Sequence, residues 1–194
     1  MDFRIRVPDS DDYTKHENAY CEHLKQFNKR SNTHLWKFFG WDFFHDGVVK
    51  SIEVQDDLRT VVVRLECPNI KRFKANGDYV YLNIGFACTF QNVTLLNIED
   101  ETPEHAWEMK KYHTIFLDAE INTSPILKGF PPEDERDSDP HYSLLIRMLA
   151  DDSIIWLELI FSQVNVVADE PAAFALMESD PKFDVPTWPG DKEG

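Results

Sequence analysis

"YSLLIRMLADDSIIWLELIFSQVNVV" spans residues 142–167, and its reading decides the fold. Two alternating apolar runs, 142–150 and 153–167, are separated only by Asp151 and Asp152. Parallel strands need a crossover of about a dozen residues or more, so this short link predicts an antiparallel hairpin. In the second run the apolar positions are odd through Ile155, Leu157, Leu159 and Phe161, then even at Val164 and Val166. Side chains alternate with period two along a strand, so the change of parity predicts a bulge near Ser162 or Gln163.

The same pattern continues upstream. "VVKSIEVQ" (48–55) and "TVVVRLEC" (60–67) alternate around "DDLR", a second hairpin, with Val61, Val63 and Leu65 sharing a face. Proline cannot donate to a ladder, so Pro68 is expected to end that strand. Segment 79–91 places Val80, Leu82, Ile84, Phe86, Cys88 and Phe90 on one side, with Gly85 marking a bend. "VTLLNIED" (93–100) follows, and "HTIFLDAEI" (113–121) puts Ile115, Leu117, Ala119 and Ile121 on one face. Residues 9–30 read as an amphipathic helix whose Tyr13, Tyr20, Leu24 and Phe27 form one stripe. Acids at its start and bases at its end suit the helix dipole. "THLWKFF" forms a further helical turn ending at Gly40.

The expected fold is therefore α+β and mainly β. It is an antiparallel sheet, sandwich or partly open barrel of six or seven strands, with one N-terminal helix packed against it. The organisation is a helical segment over 1–33, an antiparallel β domain over 34–168, and an acidic, proline-containing tail over 169–194. A short helix is expected at 171–178. "PPEDERDSDP" (131–140) carries five acids and three prolines and reads as a solvated loop.

Composition narrows the function classes. Apolar residues at 42% and aromatics at 13% suffice for a core, and no apolar run reaches membrane-spanning length. "MDFRIRVPDSDD" lacks a secretory h-region. Three cysteines, Cys21, Cys67 and Cys88, lack metal or redox spacing, which fits reduced thiols in a cytoplasmic protein. The formal charge of −15 repels nucleic acid and anionic membranes and attracts basic partners.

Chemistry-bearing residues are few. In "WDFFHDGVV" (41–49), His45 and Asp46 invite reading as a dyad, yet adjacent strand residues point to opposite faces, and Ser51, the nearest hydroxyl, lacks an elbow pattern. The alternative is a structural corner made by Trp41, Phe44, His45, Asp46 and Gly47, in which Asp46 serves the turn and His45 packs among Trp41, Phe43 and Phe44. His16 and His23 could share a helix face, but two ligands do not make a zinc site. Glu108-x-Lys110 is a fragment of a nuclease pattern placed in a loop rather than on a core strand. No phosphate loop or dinucleotide fingerprint occurs, so no cofactor and no metal are expected. Six aromatic residues between Trp36 and Phe44 read as a plug over one end of the sheet.

"FFGWDFFHDGVVKSIEV", with "FACTFQNVTLLNI" and the final hairpin ending in "VNVVADEP", resembles a group of small bacterial immunity proteins of polymorphic toxin systems. The likeness runs from about Trp36 to Pro171, with Phe44-His45-Asp46 as its most specific part. It implies an antiparallel β domain that binds and neutralises a cognate toxin and has no catalysis of its own. The expected partner is a basic toxin domain, steered by Glu133, Asp134, Glu135, Asp137 and Asp139. Two other readings stand beside it. One is a hydrolase using His45 and Asp46 with His113 or Glu66. The other is a structural module that self-associates, for instance as a homodimer, through an exposed strand edge.

Overall fold

A computed structural model describes residues 13–25, 33–40, 42–73, 79–100, 114–123, 141–150, 153–172 and 175. The elements are α1 (Tyr13–Lys25), α2 (Thr33–Phe39), a single 3-10 turn (Asp42–Phe44), β1 (Val48–Val54), β2 (Val61–Phe73), β3 (Tyr79–Gln91), β4 (Leu95–Asp100), β5 (Thr114–Thr123), β6 (Tyr142–Ala150), β7 (Ser153–Phe161) and β8 (Gln163–Ala168). All eight strands join one sheet in the order β4-β7-β6-β5-β1-β2-β3-β8, and every pairing is antiparallel.

The strand count exceeds the expected six or seven because the long run 153–167 is two strands. The chain turns at Ser162, where the change of parity pointed. Ser162 N–H donates to Gln91 O at 3.1 Å, and Thr94 N–H donates to Ile160 O at 2.9 Å. Asn92 takes φ 54°, which asparagine tolerates better than most residues, and its Nδ2 donates to Ser162 Oγ at 2.8 Å. Pairing runs from Phe86↔Ala168 to Gln91↔Gln163, then from Leu95↔Ile160 to Asp100↔Ile155. The ladders at the two ends of the order are thus consecutive parts of one bent ribbon. The sheet is not closed, but its bend directs Phe86, Cys88 and Phe90 into the same core as Leu144, Ile146, Leu157 and Phe161.

Three other expectations need correction. Pro68 does not end β2, which continues to Phe73; the register shifts between Cys67 and Ile70, and at such a bulge a missing N–H breaks no ladder bond. The face assigned to Ile115, Leu117, Ala119 and Ile121 does not hold. A second bulge lies between Phe116 and Asp118, so Phe116 is buried before it and Ala119 and Ile121 after it. Gly85 marks no bend either, since β3 pairs with β2 in unbroken register from Val61↔Phe90 to Cys67↔Ile84.

Among the described residues two α-helices accompany the sheet: α1 and, over the expected helical turn, α2. Tyr20 and Leu24 of α1 are buried, while the Tyr13 side chain and Phe27 lie outside the described residues. Tyr20 Oη accepts from Ile121 N–H, and His23 Nε2 lies against Ile121 O, both at 2.9 Å. Helix α1 thereby satisfies the edge of β5, whose pairing with β1 is confined to Val48 and Val49. Helix α2 does the same for β8: His34 Nδ1 accepts from Val166 N–H at 2.9 Å. Unpaired strand edges attract foreign strands, and these polar side chains occupy them. Arginines within strands pair with neighbouring carboxylates. Arg147 meets Asp118 at 2.6 Å and Arg64 meets Glu53 at 3.4 Å.

Candidate functional site

The segment Phe44–Gly47 is a corner between the 3-10 turn and β1. Gly47 N–H donates to Phe44 O at 2.9 Å, closing a four-residue turn. Asp46, third in that turn, has φ 63°; a positive φ at the third position defines type II turns, and aspartate is among the few residues that adopt it at low cost. The corner is tied to β5 by two backbone bonds: Asp46 N–H to Phe116 O at 2.9 Å and Phe116 N–H to Gly47 O at 2.7 Å. A Cβ on Gly47 would lie 2.8 Å from Phe44 O and 3.1 Å from Cys67 Sγ, so only glycine fits. Phe44 is fully buried, with ring centroids of Phe38, Phe39, Phe43, Phe86 and Phe116 all within 5.8 Å. Edge-on contacts with Phe43, Phe86 and Phe116 suit the ring quadrupole.

The two side chains that drew attention in sequence face outward. His45 Nδ1 lies 3.2 Å from Asp46 Oδ1, and their side chains are 49% and 62% exposed. His45 is therefore not packed among the rings as expected, because the turn places it on the solvent side while its neighbour Phe44 enters the core. Trp41 lies outside the described residues. Ser51 Oγ donates to Glu53 at 2.7 Å, and Glu66 is engaged by Lys50. Among the described residues no cluster of three or more histidine, cysteine, aspartate or glutamate side chains could hold a metal ion. Burial pushes the Cys67 thiol up to about 12, and Cys88 well above the ordinary cysteine range, which disfavours the nucleophilic thiolate at neutral pH. The acids Glu133, Asp134, Glu135, Asp137 and Asp139, and also His113 and Glu108, lie outside the described residues.

A second locus, unmarked in sequence, lies on the outer face of β1, β2 and β3 where the chain leaves β8. It is a recess of about 310 Å³ whose polar lining comes from Lys50, Arg64, Glu66, Asn83, Asp169 and Glu170, with Gly85 on its strand. That volume is at the bottom of the roughly 300–1,000 Å³ range of ligand pockets. Asp169 N–H donates to Gly85 O at 2.8 Å, extending the ladder by one residue. The Asp169 carboxylate then lies flat on the strand: a Cβ on Gly85 would meet its Oδ2 at 1.9 Å. Gly85 is thus a site of close approach. A glycine inside a strand signals that possibility, but its partner sits 84 residues away and cannot be named from the sequence.

A scan against protein-family models, a search of curated proteins and a search of solved structures each returned no match.

Proposed function

We propose that this chain is a non-enzymatic binding protein, an immunity protein that neutralises a cognate bacterial toxin by direct contact. The observation that carries this reading is the use made of Phe44-His45-Asp46. The ring is sunk in the core and the backbone is bonded to β5. The imidazole and carboxylate stand half-exposed beside each other, with the nearest hydroxyl in sequence, that of Ser51, turned to Glu53. Such an arrangement supports a corner more readily than a dyad that must deliver a proton to a held substrate. The charge of −15 adds a preference for a basic partner, which it would draw in faster than diffusion alone. The partner is a protein rather than nucleic acid or membrane, and the complex works by steric and electrostatic blockade in the cytoplasm.

Co-expression with the adjacent reading frame tests the proposal. The neighbour is expected to be toxic alone and harmless with this chain, and to co-purify with it in a complex that weakens as salt rises. A harmless neighbour, or one that still kills in the presence of this protein, removes the proposal.

A further inference from the structure

Among the described residues three non-glycines take a positive φ: Asp46 at 63°, Leu58 at 57° and Asn92 at 54°. Aspartate and asparagine visit that region readily, because their short polar side chains bond locally, whereas a leucine there crowds its Cβ against the backbone. Leu58 is also 78% exposed, so the fold gains little burial from it. A single exposed leucine calls for no explanation, but one held in a disfavoured backbone conformation does. The hairpin between β1 and β2 that carries it is firmly built. Leu58 N–H donates to Gln55 O, and Gln55 N–H to Thr60 O, both at 2.9 Å. The Asp57 carboxylate accepts from Thr60 Oγ1 at 2.7 Å, Thr60 N–H at 2.8 Å and Arg59 N–H at 2.9 Å. Arg59 O accepts from Val93 N–H at 2.8 Å, which ties the tip to the turn after β3.

Resting on the binding-protein reading, we infer that this hairpin tip is a docking knob: Leu58 enters an apolar pocket of the protein partner, and basic groups around that pocket meet the acids beside it. Residues 54–59 are all exposed, and Val54, at 48%, adds apolar surface at the foot of the turn. Over 53–59 the acids Glu53, Asp56 and Asp57 stand against Arg59 alone, so the tip shares the sign of the whole chain. A rim of lysine or arginine on the partner complements that charge and steers the approach, while the leucine, once out of water, sets the lifetime of the complex. The same acids oppose contact with an anionic membrane. Because the turn is already fixed by its own hydrogen bonds, little ordering remains to be done on binding. Asparagine or glycine would suit the backbone of this turn better. Leucine here costs the fold and serves the complex.

Leu58→Asn tests the inference in the full chain, against the purified product of the adjacent reading frame. The variant should melt about 2–4 °C above the parent, since asparagine relieves the backbone. It should also release the partner about tenfold faster, with little change in association rate. Val167→Thr makes another exposed apolar side chain polar, on β8, and should leave both rates as they are. Unchanged release in Leu58→Asn, or equal acceleration in both variants, overturns the inference. Melting of Leu58→Asn below the parent overturns it too, because the leucine would then be serving the fold. So does sedimentation of wild type, but not of Leu58→Asn, with phosphatidylglycerol vesicles, which would assign the tip to a membrane. If the neighbour's product does not bind wild type at all, the immunity proposal falls and takes the docking knob with it; if it binds both chains alike, only the docking knob falls.

Discussion

The corner at 44–47 and the recess at 85 and 169 are both built from a glycine and an aspartate beside a strand, and they use them in opposite ways. At the corner, Gly47 avoids a backbone carbonyl and a buried thiol, while Asp46 contributes a positive φ and a backbone donor. Its carboxylate is incidental to the fold. At the recess, Gly85 avoids a carboxylate, and Asp169 contributes that charge to the surface. A conspicuous charged pair can thus be serving its own backbone. Two unremarkable residues far apart in sequence can meet in a close contact on a strand.

The comparison can be broken at its strongest point by Phe44→Ala. Phe44 is fully buried and surrounded by five aromatic rings, so its loss is expected to cost about 3–5 kcal/mol in denaturant unfolding. A cost under about 1 kcal/mol would mean that the corner does not anchor the core.

The same substitution at the two glycines comes next. Gly47→Ala meets the Phe44 carbonyl, which cannot rotate away, and should cost about 2–3 kcal/mol. Gly85→Ala meets only the end of a rotatable side chain and should cost about 1 kcal/mol. Adding Asp169→Ala should restore the Gly85 variant and leave the Gly47 variant unchanged. Equal costs at both glycines, or no rescue, would erase the distinction drawn here.

A smaller effect tests the edge of β5. Burial holds His23 below its ordinary value of 6.5, and the bond to Ile121 O offsets this only in part. A histidine whose folded value is depressed takes up its proton more readily when unfolded. Its contribution is therefore absent above pH 6.5 and destabilising as pH falls below it. Unfolding measured from pH 7.5 to 5 should lose stability in wild type and lose less in His23→Gln. A steeper loss in the variant would reverse the assignment.

The smallest expected change is at His45→Ala. The ring is half-exposed, so stability should shift by no more than about 0.5 kcal/mol. A drop of 2 kcal/mol or more, measured against the roughly 1 kcal/mol typical of single substitutions, would return His45 to the fold and undo the contrast with Phe44.

Much of the sheet was legible because alternation reports on local geometry. The runs around Val61–Leu65, Ile84–Phe90 and Ile155–Phe161 each face the core as their spacing required. The parity change, read as a bulge near Ser162 or Gln163, falls where β7 ends at Phe161 and β8 begins at Gln163. Two of the failures share a cause. At Pro68 and between Phe116 and Asp118 the ladder slips by a bulge, and a bulge changes which face a residue occupies without altering composition. Phe116 was missed as a core residue for that reason.

By itself the sequence determined an antiparallel, mainly β chain with an aromatic-rich segment over 36–44 and a strong net negative charge. Those properties follow from short-range period, short links and summed charge. Only the tertiary structure decided that the two ends of the sheet belong to one bent ribbon, that Tyr20, His23 and His34 occupy strand edges, and that Asp169 lies on Gly85. Each of these joins residues far apart along the chain. Local pattern can show that a strand, a histidine or a glycine is present, but the partner it meets is chosen by how the whole chain packs.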